Sequence, residues 1–118
     1  MQLKPLHVIA IEFNTPATLM ADRLVAELRD ELMRLGHAFP LLSRAEVTLK
    51  KDLSIPIKEK KVCEITLTGF GTELKAYACT GGFARSAREC LRALRKMVLE
   101  EVKRMKEGPD IVVSTVEV

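Results

Sequence analysis

The chain has 118 residues, of which 47% are hydrophobic and 30% charged, a balance that predicts a single soluble domain with a core built without disulfides or metal. No apolar run approaches the roughly 20 residues of a membrane span, and the short apolar start is followed by Glu12 and Pro16, so neither a transmembrane helix nor a secretory leader is expected and the compartment reads as cytoplasmic. The formal net charge is only +3, but it is unevenly placed. Segments 50–61 and 83–107 carry +3 and +4, while the rest of the chain is slightly acidic. A positive potential confined to one loop and one helix points to a polyanionic partner.

LHVIAIEF (6–13) is apolar and β-branched enough for a first strand. Asn14 or Thr15 is then the expected N-cap of a helix with Pro16 in its first turn. Apolar residues at 21, 24, 25, 28, 32 and 35 form one stripe of that helix, and Gly36 is its expected C-terminal cap. Three alternating segments follow. RAEVTLK (44–50), KVCEITLT (61–68) and ELKAYACT (73–80) each place apolar residues on one face and mostly polar ones opposite, the pattern of antiparallel strands covered on a single side. GFGT (69–72) fits a tight hairpin between the last two, and Pro56 breaks the longer connection before them. Gly81-Gly82 releases the chain into a second helix over 83–107, which Gly108-Pro109 is expected to stop. The tail 108–118, DIVVSTVEV after its Gly-Pro, has the composition of one more strand. The fold class is therefore α+β: a β-α-β-β-β-α sandwich, two helices on one face of an antiparallel-rich four-stranded sheet, with a strand-like tail after the domain 1–107.

The second helix carries two stripes. At about 100° per residue, Phe83, Ala87, Cys90, Leu94, Met97, Val98 and Met105 cluster on one arc. Arg85, Arg88, Arg92, Arg95, Lys96, Lys103 and Lys106 fall on a second, roughly 140° away, interrupted by Leu99. A solvated flank whose cations pair with acids four residues off is the plain reading. It accounts for Arg85 with Glu89 and Lys96 with Glu100, but Arg88 has no acid three or four positions away on either side, and the one acid so placed for Arg92 is Glu89, which Arg85 shares. A row of arginines that outnumbers its local counter-charges is suited to a phosphate backbone. Lys50, Lys51, Lys58, Lys60 and Lys61 make a second basic cluster around the connection 52–60. Were the two clusters to face one way, they would suit folded RNA, which is read by shape, phosphate and 2′-hydroxyl contacts.

Elsewhere the residues argue against catalysis. His7 and His37 are isolated, three cysteines without a CxxC pair specify neither a disulfide framework nor a zinc site, and no Gly-rich phosphate loop is present. Cys63 and Cys90 fall on inward faces, while Cys79 falls on the open one. Glu46 and Glu64 are potential cross-strand neighbours, for which a solvated strand face is the simpler account. No enzyme activity, cofactor or metal is expected. The apolar tail supports a reading of another class: a dimeric interaction module using residues 111–118 as a strand, without RNA.

The motif set resembles that of a known family. Thr15-Pro16-Ala17-Thr18-Leu19 matches a TPAL-like helix start, and Ala45-Glu46-Val47-Thr48-Leu49 an "AEV-L" strand. Lys61 through Ala76 correspond to a "K-VEV-L--PG-EL-A" hairpin, and Phe83, Ala87, Leu91, Leu94 and Arg95 to the opening of the second helix. Over about residues 6–105 the chain is similar to the ribosome hibernation promoting factor family, also called ribosome-associated inhibitor A or sigma-54 modulation protein. The resemblance implies a double-stranded-RNA-binding-like fold lodged on the small ribosomal subunit, where it occupies the mRNA and tRNA channel in resting or stressed cells. Carried over by position, it implies ribosomal RNA contacts from Arg85, Arg88, Arg92, Arg95 and Lys96, and from Lys50, Lys51, Lys60 and Lys61. Two features depart from the family pattern. Gly69-Phe70-Gly71 replaces the usual Pro-Gly, and the first helix is net negative, with Asp22, Glu27, Asp30 and Glu31 against three arginines.

Overall fold

The structure, a computed structural model, describes residues 8–16, 21–52 and 60–117, with side chains as far as Lys106. Its elements are β1 (Ala10–Phe13), α1 (Asp22–Ala38), β2 (Leu42–Asp52), β3 (Lys60–Gly69), β4 (Thr72–Thr80) and α2 (Phe83–Glu117). The strands lie in the order β1-β2-β3-β4, with β1 parallel to β2 and the other pairs antiparallel. The expected α+β class and element order are thus present, on a mixed sheet.

Alternation along the strands decides where the core sits. Ala45, Val47 and Leu49 of β2, Cys63, Ile65 and Leu67 of β3, and Leu74, Ala76 and Ala78 of β4 all point to one face. Leu28, Leu32 and Leu35 of α1 and Ala87, Cys90, Leu91, Leu94 and Val98 of α2 pack against them. The alanines of β4 leave room for α2, which makes its main contacts with β4 and β3. The β3–β4 connection is the expected tight hairpin. Its two loop residues, Phe70 and Gly71, have φ of 54° and 75°, as a type I′ turn requires of both central residues.

Three local expectations are corrected. First, Asn14 and Thr15 do not cap α1, which begins at Asp22 after Ala21 with no side-chain cap. Both residues serve β2 instead. The Asn14 amide donates to the Val47 carbonyl at 2.8 Å, and Thr15 Oγ1 accepts from the Leu49 amide at 2.9 Å, so they extend the β1 pairing along β2. Residues 17–20 lie outside the described set. Second, Gly36 is not a terminal cap, because α1 continues to Ala38. A Cβ at Gly36 would sit 2.9 Å from both Cβ and Cγ2 of Ile9, so the glycine is there to let helix and strand approach.

Third, α2 does not stop at Gly108-Pro109 and the tail is not a strand: the backbone is helical through Glu117. Pro109 forfeits one amide donor, whereas an extended tail would need a sheet edge to satisfy every other backbone group. Among the described residues the sheet takes no strand from the tail. The strand that a tail-mediated dimer required is therefore not formed.

Candidate nucleic-acid interface

The lysine-bearing ends of β2 and β3 lie at the end of the sheet where α2 begins. In the β2–β3 register Lys50 lies opposite Val62, Lys51 opposite Lys61, and Asp52 opposite Lys60. Lys51 and Lys61 continue the alternation of Leu49 and Cys63, so they lie on the helix-bearing face beyond its apolar part, with Lys50 and Lys60 on the other face.

Ser86 joins this end to α2. Its side chain is fully buried; Oγ donates to the Lys61 carbonyl at 2.6 Å and accepts from the Thr80 amide at 3.1 Å. Lys61 Nζ also stands over the Phe83 ring, 5.8 Å from its centroid, a cation–π geometry. The first turn of α2 is thereby fastened to the ends of β3 and β4, which sets Arg85 and Arg88 beside the lysine end. Lys61 is thus placed against the start of α2. Arg92, Arg95 and Lys96 lie further along, Lys96 being about 15 Å from Ser86 at 1.5 Å per residue.

The arginine row is only partly free. Arg85 pairs with Glu89 at 3.4 Å, as expected, and Arg95 pairs with Glu31 of α1. Arg88, Arg92 and Lys96 are exposed and have no ion pair among the described residues; Glu100 does not engage Lys96. Between the helices runs a groove of about 390 Å³. Arg88, Arg92 and Arg95 line one side, Glu27, Asp30 and Glu31 the other, with Leu28, Ala87 and Leu91 beneath. Glu27 is held by Arg23 at 3.3 Å and Asp30 by Arg34 at 2.9 Å, both within α1. The sequence shows the negative charge of α1 but not its orientation. The spacing of 27, 30 and 31 on one helical side was the available signal, and it required knowing that this side meets α2.

The remaining candidates take structural roles. Glu46 and Glu64 share the open sheet face but are not opposite each other, since Glu46 faces Thr66 and Glu64 faces Thr48. Glu46 accepts from Asn14 Nδ2 and Arg44 Nε, both at 3.1 Å, and Arg44 also pairs with Glu12. These acids close a surface network. Cys63 and Cys90 are wholly buried, and contact with Cys90, reinforced by burial, pushes the Cys63 thiol far above its ordinary range. Cys79 is half-buried on the open face and His37 is exposed in the last turn of α1, while His7 and Lys58 lie outside the described residues.

With two helices on one face of a mixed four-stranded sheet, the chain has the α+β fold of proteins of the ribosomal interface type. It is similar to a ribosomal subunit interface protein from Coxiella burnetii, with a TM-score of 0.66 and 12% identity over 78% of this chain and 96% of that one. It is also similar to the N-terminal domain of Protein Y from Thermus thermophilus, with a TM-score of 0.57 and 17% identity over 77% of this chain and 94% of that one. No family sequence model matches the chain, and no curated protein matches it by sequence. At these identities the likeness is one of fold.

Proposed function

We propose that this protein is a non-catalytic, ribosome-binding regulator of the hibernation type. In this reading it occupies the mRNA and tRNA channel of the small subunit in the cytoplasm of resting or stressed cells. The fold supports it, because the C. burnetii neighbour is named for the ribosomal subunit interface. So do the family-like motifs at Ala45–Leu49 and along the start of α2. The observation that carries it is the junction at Ser86, which fastens Lys61, with Lys51 opposite it in the ladder, to the first turn of α2, the helix that carries Arg85 and Arg88. Arg92 and Lys96 continue that surface along α2. A surface of this kind takes phosphates at several points without reading bases, as A-form RNA demands.

Replacing Arg88 and Arg92 by Glu tests the reading. Both side chains lie off the packing face, so the double variant stays folded, its melting temperature lowered only by repulsion from Glu27, Asp30 and Glu31 across the groove, while losing co-sedimentation with isolated small subunits in a sucrose gradient. For about six phosphate contacts, raising salt from 50 to 200 mM should weaken the wild-type complex roughly 10³-fold. A double variant that still travels with the subunit overturns the proposal.

A further inference from the structure

We propose that Glu31 is a built-in competitor for phosphate, holding Arg95 out of the RNA-binding surface; this rests on the RNA reading above and specifies its regulation. The Arg95–Glu31 pair joins residues 64 apart in sequence and spans the groove from α1 to α2. A carboxylate presents two oxygens to a guanidinium fork much as a phosphate does, so the two anions compete for the same donors. Exposure is 51% for the Arg95 side chain and 33% for Glu31, against 93% and 61% for Arg23–Glu27. The cross-helix pair is therefore less screened than its neighbours. Both helices are fixed by the core, so little ordering is needed to hold it.

The other two acids of the groove are engaged within α1, which leaves Glu31 as the carboxylate bonded to α2. It also lies 3.5 Å from Arg34, so it retains a cationic neighbour when Arg95 leaves. The arginine row is thus divided. Arg88 and Arg92 face the groove without an ion pair among the described residues, whereas a phosphate reaching Arg95 must first displace Glu31 and then sit beside its charge. RNA accordingly crosses the N-terminal end of α2, where the lysines are, instead of running the length of the groove.

Three variants test this on a 16-base-pair RNA duplex, with affinity measured across a KCl series: Glu31→Gln, Arg95→Gln and the two combined. Freeing one arginine adds one phosphate contact. Glu31→Gln should steepen the slope of log affinity against log salt by about 0.7–0.9 and tighten binding about 5- to 8-fold at 0.1 M salt. That gain should vanish in the Arg95→Gln background. A merely structural role for Glu31 would shift the melting temperature without moving the slope. Glu31→Gln affinity equal to or below that of wild type, no duplex binding by either, or a gain that persists without Arg95 overturns the proposal. Wild-type co-sedimentation with small subunits is read separately. Should the wild type stay off subunits while Glu31→Gln gains on the duplex, the ribosomal reading falls and the competitor stands.

Discussion

Gly36→Ala pits two effects of opposite sign against each other. In an exposed helix interior the change is stabilising by about 1 kcal/mol, because alanine is the better helix former. Gly36 is buried, however, and the added methyl would stand 2.9 Å from Cβ and Cγ2 of Ile9. Carbon atoms prefer about 3.5–4.0 Å, so helix and strand must separate by roughly 0.6–1 Å. Cγ2 can rotate away, but Cβ is fixed to the backbone and retreats only if the chain entering β1 retreats with it. That chain is poorly able to do so, since β1 has four residues and its pairing with β2 continues through the Asn14 amide. Overpacking of this kind costs about 1–3 kcal/mol. The net expectation is a loss of up to about 2 kcal/mol in urea unfolding, with a melting temperature lower by as much as about 8 °C. A variant more stable than wild type would refute the close-approach argument and return Gly36 to the role of a replaceable helix residue.

Leu94→Ala should cost about 2–5 kcal/mol in the same assay, because Leu94 is fully buried among the strands and the vacated volume cannot collapse onto a rigid sheet; a cost under about 1 kcal/mol would mean that α2 does not pack as described. Cys63 supplies a pH test. Its folded pKa is raised above the ordinary 9.0, so its contribution to stability is whole below that value and declines as pH rises through it, when the unfolded thiol ionises and the folded one does not. Stability should fall between about pH 8.5 and 10 more steeply in wild type than in the double variant Cys63→Ala/Cys90→Ala, which removes both members of the buried pair, and equal slopes would contradict the burial of that pair.

The elements that were legible in the sequence are those whose stabilisation is local or periodic. Strict alternation in 44–50, 61–68 and 73–80 yields β2, β3 and β4 to within about two residues, because every second side chain has to enter one core. The features that misled are those whose partner is distant. Thr15 has the composition of a cap, yet its hydroxyl is bonded to the Leu49 amide, 34 positions on. Gly36 follows an apolar stripe as a cap would, but its lack of a side chain serves Ile9. Gly108-Pro109 is ordinary punctuation, and DIVVSTVEV has strand composition, but composition alone does not supply a sheet edge. The site divides in the same way. Which residues are cationic is plain from the sequence, and so is the shortage of acids along the row, where Glu89 alone stands among Arg85, Arg88 and Arg92. That Arg95 is neutralised from α1, and that Lys61 stands against α2, depends on tertiary packing.

That packing gives the basic surface two halves with different supports. At the lysine end, a single buried hydroxyl ties the Lys61 carbonyl, the Thr80 amide and the first turn of α2 together. Lys61, Arg85 and Arg88 therefore move as one body with the β3–β4 ladder, and their spacing is as rigid as the sheet. Further along, Arg92 and Arg95 are set against α1, whose contacts with α2 are few compared with those of the sheet. Their potential depends on where the carboxylates of α1 stand. A ligand that neutralises phosphates at the first half gains pre-organised contacts, while one that extends into the second must work against Glu31. Under the RNA reading proposed above, an acidic first helix is no contradiction: it would confine the polyanion to the end of the molecule where the geometry is fixed.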